Sequence, residues 1–149
     1  MGARRRGREL AMQALYQVEV TGEPSATALQ TFFERADAGE RAKGFAMALV
    51  AGVRERQEEI DRLIADVSEH WRFERLSRVD LNVLRVASFE LLTRGAPTSV
   101  VIDEAIEVAR RFGTEESAVF VNGVLDQIAV RLGVKEVRTD ADGEVDSDG

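Results

Sequence analysis

A chain of 149 residues, 44% hydrophobic and 32% charged, is long enough to bury a proper core as one domain. With no cysteine and a single histidine, His70, it cannot form disulfides, use thiolate catalysis or build a cysteine or multi-histidine metal centre. The formal net charge is −7, but five acids (Asp140, Asp142, Glu144, Asp146 and Asp148) crowd the end of the chain, and removing them leaves −2.

The first predicted element begins with a block of arginines, Arg4, Arg5, Arg6 and Arg8, and then turns amphipathic. Leu10, Ala11, Ala14, Leu15 and Val18 fall on one arc at helical spacing. Arg5, Glu9, Met12 and Tyr16 share a second stripe, and Gly7 is expected to fray the start. Gly22 and Pro24 end this helix, and Ser25 is placed to cap a short one carrying Leu29, Phe32 and Phe33. After a reset at Asp37 to Glu40, one long helical stretch is expected to run to Trp71, with Gly52 marking a bend or a close packing contact.

Ser77 caps the next helix, with Asp80 three residues on. That helix is apolar almost all round, from Val79 to Leu92, as expected of a central element. Gly95 and Pro97 stop it. Ser99 is expected to cap a helix with a clean stripe from Val101 to Phe112, and Thr114 to cap the last, which closes at Leu132 and Gly133. No segment alternates with a strand's period. The expectation is an all-α domain of six or seven helices over residues 1–133, followed by a disordered acidic tail, 134–149. No run approaches the roughly 20 apolar residues of a membrane span. No signal-type apolar run follows the arginines, so the expected location is the cytoplasm.

Catalytic patterns are missing: there is no phosphate-binding glycine loop, no dinucleotide fingerprint and no zinc-protease helix. Acidic pairs such as Glu58–Glu59 and Glu115–Glu116 suit solvated faces and helix starts. Glu107 and Arg111 are expected to pair across one turn, and His70 reads as a packing or surface residue. On the apolar helix, Arg85 and Glu90 must be paired if buried; an internal ion pair and a contact to a partner both satisfy that. Four clustered arginines on an acidic protein point to a local polyanion site, with Tyr16 and Phe120 as candidate stacking planes. Gly123, inside the last helix, suggests close approach of another backbone.

Several blocks now fall together in order: RRRGRELAMQALYQVE, LVAGV with IDRLI, WRFERLSRVDLNVLRVASFELL, VIDEAIEVARRFG and SAVFVNGVLDQI. Together they resemble the transcription antitermination factor NusB family over Arg4 to Leu132. The resemblance implies two packed helical subdomains and no catalysis. It implies binding of single-stranded boxA RNA from nascent ribosomal RNA leaders. The binding is shared with NusE, ribosomal protein uS10, within the antitermination complex of RNA polymerase and the other Nus factors. Carried over by position, Arg4, Arg5, Arg6 and Arg8 become RNA contacts. Phe120 and Gly123 lie near the same RNA, and the helix with Arg85 and Glu90 faces the protein partner. No cofactor or metal is implied. Ala118 and Val119 stand where the family often has a basic residue, and the acidic tail lies outside the family pattern. The fold also resembles the front domain of some RNA cytosine methyltransferases, but this chain has neither the cofactor segment nor any cysteine. A pure protein-interaction module is the remaining alternative.

Overall fold

The computed structural model describes residues 2–22, 26–68 and 73–135. Among them are seven α-helices: α1 (Ala3–Thr21), α2 (Ala26–Arg35), α3 (Glu40–Glu55), α4 (Gln57–Val67), α5 (Arg78–Thr93), α6 (Thr98–Phe112) and α7 (Glu115–Leu132). A single 3₁₀ turn, Phe73–Arg75, precedes α5, and no strand occurs among the described residues. Ser25, His70, Trp71 and residues 136–149 of the expected tail lie outside the described residues, whereas its first two, Val134 and Lys135, are described.

The ends follow local chemistry. Ser77 Oγ accepts from the Asp80 amide and Thr114 Oγ1 from the Ser117 amide, each satisfying an otherwise orphaned donor. Gly22 and Gly133 adopt the left-handed conformation that closes α1 and α7. Two boundaries differ from expectation. α6 starts at Thr98 behind Pro97, so Ser99 is not its cap; proline's fixed φ sets the entry instead. Nor is the stretch beyond Glu40 one helix. Arg56 leaves helical geometry (φ −112°, ψ 21°), and α4 begins anew at Gln57.

Two apolar clusters divide the body. Leu10, Ala11, Ala14 and Leu15 of α1 join Phe33 of α2 and Ala42, Ala46, Leu49, Val50 and Val53 of α3. The second cluster gathers α4, α5, α6 and α7 around Ile60, Ile64, Leu84, Leu91, Val101, Leu125 and Ile128. α5 lies between them: Val86 belongs to the first, Val83 and Ala87 to the second, and Phe89 packs on both. Its lack of a polar face thus has the expected cause. Close approach is arranged at Gly52 of α3, where a Cβ would collide with the Phe89 ring. Gly52 is a packing contact within α3, and the break in the stretch comes four residues later.

α1 also touches both clusters. Met12 is 2% exposed and belongs to the second cluster, although its neighbours Leu10 and Ala11 belong to the first. The stripe of Arg5, Glu9, Met12 and Tyr16 is therefore largely a seam against the other half of the molecule. Gly7 does not fray the helix. It is buried, and a Cβ there would lie 2.7 Å from Phe45 Cδ2 and 3.0 Å from the Ala42 carbonyl oxygen, so its small size lets α1 press on α3.

Candidate nucleic-acid interface

The arginine block is the first two turns of α1, lying between α3 on one side and α6 on the other. The four side chains have separate fates. Arg4 is exposed and its guanidinium lies 4.8 Å from the centre of the Phe45 ring, a cation–π contact. Arg5, 47% exposed, crosses to α6 and donates from Nε and Nη2 to Glu104 at 2.9 and 2.8 Å. The hydrogen bond and charge of each partner hold the Glu104 carboxyl below its usual value and raise Arg5. Arg6 donates to Glu9 at 3.2 Å and to the Asp37 carbonyl oxygen at 3.2 Å.

Arg8 behaves differently and corrects the expectation that it joins the exposed cations. It is 6% exposed, stacks 5.4 Å from the Phe45 ring, and donates from Nε and Nη2 to Glu90 at 2.8 and 2.9 Å. Glu90 is itself 3% exposed. This pair joins α1 to α5 inside the molecule. Arg85 is also internal. It donates to both oxygens of Asp61 on α4 at 2.8 and 2.9 Å, to Glu19 on α1 at 2.6 Å and to the Asn82 side chain at 3.0 Å. Burial opposes its charge, but the hydrogen bonds and attraction of Asp61 and Glu19 outweigh that and raise its pKa. Of the two alternatives left open for Arg85 and Glu90, the geometry selects the internal ion pair. Their side chains are 7% and 3% exposed, and each carries its counter-charge within the chain.

The remaining candidates lie farther along. Tyr16 is 39% exposed on the seam stripe of α1. Phe120 is half-buried and packs on the second apolar cluster, so only part of its ring faces outward. Gly123 is exposed and nothing lies within 4 Å of a Cβ placed there, so no backbone approaches it within this chain. Ala118 is buried and Val119 is 74% exposed. The expected Glu107–Arg111 pair does not form. Arg110 bonds Glu107 and Glu115 instead, and Arg111 turns to Glu9 of α1 at 2.9 Å. Among the described residues no cluster of three or more acidic or histidine side chains is placed to hold a metal.

Two residues of this region escaped sequence reasoning. Glu9, 2% exposed, was placed only on the stripe with Arg5, Met12 and Tyr16, and Arg111 was expected to pair with Glu107. The i, i+3 spacing of Arg6 and Glu9 was the only available hint; the Arg111 contact spans 102 residues.

An all-helical body of two clusters, with a cationic helix start between them, defines a small binding protein of the kind that presents guanidiniums to a polyanion. The NusB family profile matches residues 5–130, and the chain belongs to that family. It is 48% identical over 137 residues to the transcription antitermination protein NusB of Myxococcus xanthus, covering 89% of this chain and 98% of that one. NusB of Geobacter sulfurreducens is also 48% identical, over 134 residues, covering 89% and 97%. Among solved structures, T. maritima NusB superposes with a TM-score of 0.76 at 43% identity, covering 85% of this chain and 90% of that one. A chain from a structure of the antitermination factors NusB and NusE in complex with double-stranded RNA gives 0.77 at 27% identity, covering 88% and 98%. No helix among the described residues is long and apolar enough to cross a membrane.

Proposed function

We propose that this protein is a non-catalytic, cytoplasmic transcription antitermination factor that binds boxA RNA of nascent ribosomal transcripts together with NusE, ribosomal protein uS10. The pair supports read-through by RNA polymerase in company with the other Nus factors. The observation that carries the RNA reading is the cluster of exposed Arg4 and Arg5 with half-buried Arg6 at the start of α1, in a chain of the NusB family. Family relatives occur with NusE and RNA in one solved complex, which supports the choice of ligands.

Charge explains why a partner is needed. The formal net charge of −7 repels RNA at long range, so a few local guanidiniums bind it weakly alone. A basic protein docked alongside adds phosphate contacts and reduces the repulsion. The two ligands are then coupled, and the coupling is reciprocal, typically about 1–3 kcal/mol. The test is a titration of labelled boxA RNA at fixed salt, with and without saturating NusE, with a scrambled RNA as control. Tighter binding with NusE, and a preference for boxA, are expected. Equal affinity in both arms removes the partner's role, and equal affinity for the scrambled RNA removes sequence recognition.

A further inference from the structure

We propose that Arg111 of α6 is a further phosphate-binding residue, presented beside Arg6 by the buried carboxylate of Glu9. The inference rests on the RNA-binding reading above and extends its surface from the first turns of α1 to the other half of the molecule. Glu9 is 3% exposed at its side chain, yet both its oxygens are used: Oε1 accepts from Arg6 Nη1 at 3.2 Å and Oε2 from Arg111 Nη1 at 2.9 Å. One buried negative charge thus holds two guanidiniums side by side, and the trio carries a net positive charge.

The donors left over decide what the trio can do. A guanidinium has five N–H donors in a rigid fork. Glu9 takes only Nη1 of Arg111, and the side chain is 54% exposed, so the rest of the fork faces solvent. Its guanidinium also lies 5.4 Å from the centre of the Phe112 ring, which limits its freedom. An exposed arginine normally loses side-chain entropy when it captures an anion; here the salt bridge and the ring have already restricted it. Two turns back along α6, Glu104 accepts from Arg5 of α1. Arg5 and Arg111 therefore each bridge the seam between α1 and α6, and Arg6 shares Glu9 with Arg111. Planar forks spaced along a seam suit successive phosphates of a single strand.

The experiment measures affinity for labelled single-stranded boxA RNA over a salt series, using the full chain and three variants: Arg111→Ala, Arg111→Lys and Arg4→Ala/Arg5→Ala. Each phosphate contact on a single strand contributes about 0.7 to the slope of log affinity against log salt. Arg111→Ala is expected to flatten the slope by about 0.7 and to lower affinity about fivefold near 0.1 M salt. Arg111→Lys keeps the slope, because a lysine still neutralises the phosphate. Glu9 retains Arg6 in every variant, and urea unfolding checks that the fold is intact. Wild-type slope and affinity in Arg111→Ala overturn the proposal; so does an affinity loss at unchanged slope, which marks a structural or protein-partner role. If Arg4→Ala/Arg5→Ala weakens binding and Arg111→Ala does not, only the role of Arg111 falls. If the unmodified chain shows no salt-dependent RNA binding, the functional reading falls with it.

Discussion

Arg5 and Arg8 stand three residues apart on α1, and each donates two N–H···O bonds to a glutamate on another helix. The chemistry is the same and the bond lengths nearly so. Depth separates them: Arg5 is 47% exposed and its Glu104 17%, whereas Arg8 is 6% exposed and Glu90 3%. Water competes for the first pair and is excluded from the second. The exposed pair is therefore weak and exchangeable, open to a phosphate that takes the place of the carboxylate. The buried pair is committed, since losing either partner strands a charge in an apolar seam. The four clustered arginines thus divide into exposed Arg4 and Arg5, half-buried Arg6 and one internal fastener, Arg8.

The strongest way to break this comparison is at Glu90. Glu90→Ala leaves Arg8 buried without a counter-charge and is expected to cost about 3–5 kcal/mol, measured by urea unfolding. Replacing both partners with apolar residues, Arg8→Met with Glu90→Leu, is expected to restore most of that loss. A single variant as stable as wild type shows that water reaches the pair and that the two arginines are equivalent after all.

The glycines sharpen the contrast between packed and open sites. Gly52→Ala pushes a methyl group into the Phe89 ring, which touches both clusters, and is expected to cost about 1–3 kcal/mol. Gly123→Ala meets nothing and removes a helix-breaking residue, so it is expected to stabilise by about 0.8–1.0 kcal/mol. Thermal melts of the two variants should move in opposite directions. A Gly123→Ala variant that is more stable yet binds RNA less well would place the RNA, rather than another helix, against that position.

The smallest stability effect is expected at the exposed pair. Glu104→Gln should change stability by less than about 1 kcal/mol, while tightening RNA binding because Arg5 loses its competing carboxylate. The pH dependence has a definite sign. The Glu104 carboxyl is held below its ordinary value, first by the Arg5 hydrogen bond. Its contribution is therefore complete above the ordinary carboxylate range and disappears as pH falls through the lowered value. Comparing wild type with Glu104→Gln across that acid range isolates it; parallel stability curves would mean that the pair contributes nothing.

Much of the fold was legible along the chain. The caps at Ser77 and Thr114, the left-handed ends at Gly22 and Gly133 and the central place of α5 follow from residue type and period, because they depend on neighbours within a turn or two. The candidate site was legible only in outline. That Arg5 lies outside the arc of Leu10, Ala11, Ala14 and Leu15 could be expected from helical spacing. Arg8 stands three and seven residues before Ala11 and Leu15, so its inward side was legible, but its partner Glu90, 82 residues away, was not. Gly7 misled for the same reason: helix propensity marks it as a weak point, while its use is to admit Phe45.

By itself the sequence determined an all-helical chain, an arginine-rich start and the family to which they belong, because hydrophobic period, capping and motif order are all written locally. Which charges remain available was decided by tertiary structure. The packing of α1 between two apolar clusters set Arg8 against Glu90, Arg85 against Asp61 and Glu19, and Arg111 beside Arg6 on Glu9. Each of these pairings depends on a dielectric boundary and on a long-range contact, and neither exists until the helices have packed.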